Sequence, residues 1–129
     1  STSMSSLPAD LRYTKDHEWI RIESDGTATV GITDHAQAAL GDVTFVDLPK
    51  VGAAFAEHAT FGTVESVKAA SDLYCPVAGT VVAVNGELNG SPDLVNREPY
   101  GGAWMIRVKM DNPAAAQSLL TAAQYQALL

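Results

Sequence analysis

The chain has 129 residues, 47% of them hydrophobic, enough for one domain with a full core. Fifteen Asp and Glu against eight Lys and Arg leave a net charge of −7, and no basic run is present, which disfavours nucleic acid as a partner. No apolar run approaches the roughly 20 residues of a bilayer-spanning helix, and the single cysteine, Cys75, has no partner for an internal disulfide, which suits a reducing compartment.

Residues 1–3 read as a cloning scar before a native Met4, and residues 4–12 as a lead-in without a signal or transit peptide. The expectation is a cytoplasmic bacterial protein, or a mitochondrial matrix protein if the source is eukaryotic. His17 to Glu23 alternates and predicts a strand, with Trp19 and Arg21 on one face and Ile20 and Ile22 on the other. Ser24-Asp25-Gly26 is a hairpin turn signal, and Thr27 to Ile32 returns with Ala28, Val30 and Ile32 on one face. Thr33 caps a short helix through Leu40, closed by Gly41. Asp42 to Leu48 reads as a strand and Pro49 to Gly52 as a turn.

Thr60 to Val67 and Ser71 to Cys75 predict a hairpin around Lys68. Pro76 to Gly79 is a turn, in which Gly79 suits a positive φ. Thr80 to Asn85 is a β-branched strand. Ser91 to Tyr100 is an irregular or short helical excursion ended by Gly101-Gly102, and Ala103 to Met110 is the last strand. Pro113, suited to a first helical position, opens a helical tail over 113–129. The whole predicts a single domain over 1–129, mainly β. Two small antiparallel sheets form a sandwich or barrel, with a short internal helix and a C-terminal helical cap over a sheet face or edge.

Lys68 sits among small and β-branched residues in Val64-Glu65-Ser66-Val67-Lys68-Ala69-Ala70-Ser71-Asp72. A carrier of a covalent cofactor needs a primary amine on a long flexible stem, which lysine offers, and small neighbours that let the arm enter another enzyme. The competing reading is a solvated lysine paired with Glu65 at i,i+3 on a short helix, which Gly62 and Pro76 would confine. His17, His35 and His58 lack metal-ligand spacing, so no metal site is expected. Cys75 reads as a partly buried apolar residue and not as a nucleophile. Trp19 and Trp104 read as core.

The Lys68 segment resembles the lipoyl-lysine site of the glycine cleavage system H-protein family. So do Tyr13-Thr14-Lys15-Asp16-His17-Glu18-Trp19, Gly31 to Gln37, Gly41 to Pro49, and Asn96-Arg97-Glu98-Pro99-Tyr100-Gly101 with Trp104. The resemblance implies a barrel-sandwich hybrid, a biotinyl/lipoyl-attachment fold, with lipoic acid in amide linkage on Lys68. It implies that Glu65, three residues before the lysine, and Gly79, eleven after, are read by the lipoylating enzyme. It also implies a non-catalytic, monomeric carrier, with neither nucleic acid nor membrane as partner. Its arm takes the aminomethyl group and reducing equivalents between a pyridoxal-phosphate glycine decarboxylase (P protein), an aminomethyltransferase (T protein) and dihydrolipoyl dehydrogenase (L protein).

The aminomethylated arm carries a cationic amine and can lose its carbon to water, so a groove with carboxylates is expected to shelter it; Glu18, His35 and Asp72 are the candidates. Three other readings stand beside this one. An H-like protein could relay lipoate to other complexes through an identical site. Biotinylation is disfavoured because Val67 and Ala69, and not methionines, flank Lys68. An unmodified β-domain that binds partners would gain no mass in the presence of lipoate and a ligase.

Overall fold

Short runs of alternating and β-branched residues between turn signals leave the chain little choice but antiparallel strands. In the computed structural model, which describes residues 7–129, these are β1 (Arg12–Tyr13), β2 (Glu18–Ile22), β3 (Thr27–Ile32), β4 (Val43–Asp47), β5 (Ala54–Phe55), β6 (Thr60–Ser66), β7 (Ala70–Tyr74), β8 (Gly79–Val84) and β9 (Ile106–Met110). Four short helices join them: α1 (Asp34–Leu40), α2 (Glu87–Gly90), α3 (Leu94–Arg97) and α4 (Ala122–Gln126). The expectations placed on residues 1–3 and on the first part of the lead-in, 4–6, lie outside the described residues. One sheet has six strands in the order β1-β2-β3-β9-β8-β5, the other three in the order β4-β6-β7, and every pairing is antiparallel. The expected class, two antiparallel sheets with short helices, is the one observed.

Alternation along β2 decides how the large sheet is used. Ile20 faces the main core, which it shares with Val30, Val46, Val64, Val81 and Val108 from both sheets. Trp19 points the other way, into a second cluster with Leu11, Tyr13 and Tyr125. That face would be wet but for the C-terminal tail. Leu120 exchanges two backbone hydrogen bonds with Tyr13 (2.8 and 2.9 Å), covering the β1 edge, and Tyr125 of α4 stacks on the Tyr13 ring at 4.9 Å. The helical cap therefore covers both an edge and a face. Pro113 does open a helix, but a 3-10 one over Pro113–Ser118, and the α-helical turn begins only after the Thr121 capping box.

The helix expected after Thr33 is α1. The Thr33 hydroxyl accepts from the Ala36 N–H at 3.2 Å, and Gly41 ends the helix at φ 79°. The hairpin around Lys68 forms as expected, with the first strand ending one residue earlier, at Ser66, and the second shifted one residue back, to Ala70–Tyr74, so Glu65 and Lys68 share no helix. Cys75 is fully buried, not partly, and Trp19 is core whereas Trp104 is half-buried. Gly79 corrects the turn reading: it is the first residue of β8, paired with Phe55 and Met110, and its φ is not positive. Its lack of a side chain has another cause, since a Cβ there would run into the Lys109 carbonyl oxygen.

Gly31 on β3 is under a similar constraint: a Cβ would lie 2.5–2.7 Å from the Trp19 indole. Indole Nε1 donates to the Pro99 carbonyl at 2.9 Å, so the ring cannot slide away without breaking that bond. Gly31→Ala is expected to lower stability by about 1–3 kcal/mol in urea unfolding, the usual range for overpacking. Gly90→Ala, where the added methyl meets nothing within 4 Å, is expected to hold stability or raise it by up to about 1 kcal/mol.

Candidate functional site

β6 and β7 run out of the small sheet and turn at Ser66–Ala69, putting Lys68 at the exposed tip. The turn is closed by the Ser66 N–H on the Ala69 carbonyl (2.7 Å). The Ser66 hydroxyl oxygen then accepts from the N–H groups of Lys68 (3.3 Å) and Ala69 (3.1 Å). Outside the hairpin, the Val67 N–H donates to the Asp42 carbonyl at 3.0 Å and ties the tip to the start of β4.

That platform is itself pinned by Asn96 of α3. Its amide donates to Gln37 Oε1 (2.8 Å) and to the Gly41 carbonyl (2.9 Å), and its oxygen accepts from the Val43 N–H (2.9 Å). One side chain so fixes the end of α1 against the start of β4. Gly41 lies under the lysine stem, where a Cβ would come into ordinary contact with Lys68 Cε at 3.4 Å, and it is the positive φ that calls for glycine. Sequence reading placed Asn96 in a matched stretch without giving it a role.

Beside the tip lies a groove of about 320 Å³ between β7, α1 and the start of β2. Its entrance is formed by Ala69, Ala70 and Ser71, its apolar wall by Ile32, Ala36, Leu40, Val64 and Leu73, and its far side by Asp16, His17 and Glu18, with Asp72 on the strand opposite. Glu18 and Asp72 thus both line this groove. His35 does not. It is exposed on α1, just outside the arc of Ala36, Ala39 and Leu40 that faces the groove. Its ring instead rests 4.6 Å from that of His17, which does line the groove.

Glu18 is buried. Oε1 accepts from the Thr14 hydroxyl at 2.6 Å and Oε2 from the Tyr74 N–H at 3.4 Å. Burial pushes its pKa up, against the pull of those donors. Thr14 is held in turn by accepting from the N–H groups of Asp16 and Glu18, both at 3.2 Å, in a tight turn that drives His17 to φ 75°. The His17 Nδ1 lies 2.7 Å from the Tyr125 hydroxyl, which is 2.8 Å from Thr33 Oγ1 at the head of α1. Burial and the neighbouring His35 push the His17 pKa down, with Asp16 opposing them. Nothing in the local sequence pattern announces the His17 conformation or its long-range partner, 108 residues away.

Glu65 is exposed on β6, opposite Phe45 and Ala70. Gly79 belongs to the other sheet, where packing against β9 accounts for it. Cys75 bonds the Val77 carbonyl at 3.2 Å, and burial pushes its thiol up to about 11. It therefore stays protonated and does not compete in thiol exchange beside the groove.

The sequence profile of the glycine cleavage H-protein family matches residues 11–129. The glycine cleavage system H protein of Opitutus terrae is 64% identical over 126 residues, 98% of this chain and 99% of that protein. That of Chromobacterium violaceum is 57% identical over 122 residues, 95% of each. The crystal structure of a glycine cleavage system H protein from Mycobacterium marinum aligns at a TM-score of 0.87 and 41% identity, covering 94% of this chain and 97% of that one. With sequence, fold and the displayed lysine in agreement along almost its entire length, the chain belongs to the glycine cleavage H-protein family.

Proposed function

We propose that this chain is the lipoyl-bearing carrier of the glycine cleavage system, with Lys68 as the attachment point. It is a carrier and not a catalyst, as its family is. The observation that supports this most is a single exposed lysine on a fixed hairpin tip, opening onto a groove that ends in a buried carboxylate. Among the described residues no carboxylate forms an ion pair with Lys68. The residues fit the group: the stem starts from an exposed tip, and the groove beside it has an apolar wall and the carboxylates Asp16, Glu18 and Asp72.

Lipoate on Lys68 supplies a dithiolane that accepts the aminomethyl group and two electrons. The chain supplies placement. Lysine plus lipoyl spans about ten single bonds, on the order of 14 Å at roughly 1.5 Å each and less for zigzag. Tethering then raises the local concentration at a docked active site to roughly the millimolar range. The partners implied are the P protein, the T protein and the L protein, with a lipoylating enzyme that reads exposed Glu65, whereas buried Gly79 serves by letting β8 pack against β9.

Glu18 and Asp72 supply negative charge for the cationic amine of the cargo, and Ile32, Ala36 and Leu40 keep water from it. His17, with its lowered pKa, is neutral near pH 7 and does not repel the amine. His35 acts only by supporting the His17 ring.

Incubation with lipoate, ATP and a lipoate–protein ligase is expected to add one lipoyl mass to wild type and none to Lys68→Arg. A gain on Lys68→Arg equal to that on wild type would remove the proposal. Glycine–bicarbonate exchange with added P protein separates this role from a lipoate relay, which would not support it. Glu18→Gln loses a hydrogen bond to a charged group, a contribution of about 1.5–3 kcal/mol, so hydrolytic loss of the cargo is expected to quicken about tenfold or more. His35→Ala should change it little.

The same Glu18 variant makes a thermodynamic prediction of opposite sense. The pKa of Glu18 is raised by folding, so its ionisation opposes folding increasingly as pH climbs above the ordinary carboxylate range. Glu18→Gln should therefore melt no lower than wild type at pH 7, with any advantage shrinking as the pH falls toward 4.5. Calorimetry over that range decides it; a variant markedly less stable at pH 7 contradicts the assignment of burial as the dominant cause.

A further inference from the structure

The outer face of the small sheet carries a feature that the arm and its groove leave unused. Phe45 is 48% exposed on β4, and Val67 is 69% exposed on the tip itself. Phe45 is the cross-strand partner of Glu65, which is in turn opposite Ala70, so these three share a face. Their row is the next one below the Ser66–Ala69 closure, about 3.4 Å further down the hairpin. The charged residues on β4, β6 and β7 are Asp47, Glu65 and Asp72, all acidic, and Lys68 is the one cation of the hairpin they support.

An aromatic ring with an acidic surround beside a reactive amine suits a partner with an apolar recess and a basic rim. Distance tells which partner. A lysine side chain has five bonds from Cα to Nζ, a reach of roughly 6 Å. An enzyme acting on Nζ itself must cover the tip and the rows just below it. An enzyme acting at the far end of the acylated arm, on the order of 14 Å out, need not.

Resting on Lys68 as the acceptor, we propose that Phe45 and Val67 are the apolar anchors by which the acylating enzyme docks, with Glu65 and Asp47 facing that enzyme's basic rim. In the step served, Nζ, having lost its extra proton, attacks the carbonyl of an acyl adenylate. The amide C–N bond forms as the acyl C–O bond breaks, the adenylate leaves with the electron pair, and nitrogen releases a second proton. The pad takes no part in this chemistry; it holds Nζ where the reaction can occur, and its loss should appear in KM.

Initial rates of lipoyl gain on the full-length unmodified chain, with lipoate, ATP and a lipoate–protein ligase, test this by intact mass. Phe45→Ser is expected to raise the KM for the carrier about tenfold, in the hot-spot range, with kcat within about twofold of wild type. Phe45→Tyr should restore most of the loss, and Val82→Ser, which removes an exposed side chain on the other sheet, should have no effect. The wild-type KM should rise with ionic strength. Once driven to full modification, Phe45→Ser should support glycine–bicarbonate exchange as wild type does, which also shows that it is folded. An unchanged KM, a KM indifferent to salt, or a loss of exchange matching the loss of acylation would each overturn the pad. Absence of any lipoyl gain on wild type would instead remove Lys68 as acceptor, and the pad with it.

Discussion

A swinging arm works only if its root does not swing. Here the root is fixed by hydrogen bonds from three directions: Ser66 within the turn, Val67 onto the carbonyl of Asp42, and Asn96 across Gly41 and Val43. Each of the Asn96 hydrogen-bonding atoms is used on a different element, so the end of α1, the start of β4 and the helix after β8 become one support. Without that support the tip of a two-stranded hairpin would be only marginally ordered. The exposed lysine therefore stands on a fixed post, a combination that neither a loop nor a helix interior would provide.

The groove imposes the opposite bargain. A carboxylate removed from water and given only two donors is held with its pKa raised, at some expense in stability. Two hydrogen bonds, one to each oxygen, are a thin substitute for the water a carboxylate gives up on burial. The arrangement makes sense if a cation is a regular visitor, because the visitor replaces the water that Glu18 has lost. The chain Thr33–Tyr125–His17 then links the groove to the C-terminal helix, so the tail that seals the second cluster also sets one wall of the groove. Fold and site share the same residues there.

Much of this was legible in the sequence because it depends on short-range rules. Gly62, the small residues after Lys68 and Pro76 bracket a hairpin; Thr33 and Gly41 bracket a helix; the alternation of β2 puts Glu18 on the same side as Ile20 and Ile22, toward the interior. What was not legible depends on partners far along the chain. The strands β1 and β5, two residues each, are too short to alternate and are defined by the neighbours they pair with, β2 and Leu120 for one and β8 for the other. Gly79 has the look of a turn glycine, yet a carbonyl from β9 dictates it. His17 was passed over and His35 chosen, because the positive φ that turns one toward the groove leaves no mark on composition or spacing.

The account rests on one nitrogen among the four lysines of the chain. Proteolytic peptide mapping of protein taken from its native host tests that most directly. It should find a lipoyl group on the peptide holding Lys68 and none on those holding Lys15, Lys50 or Lys109. A lipoyl group on any of those three, or a Lys68 peptide that is never modified in cells cleaving glycine, would contradict it.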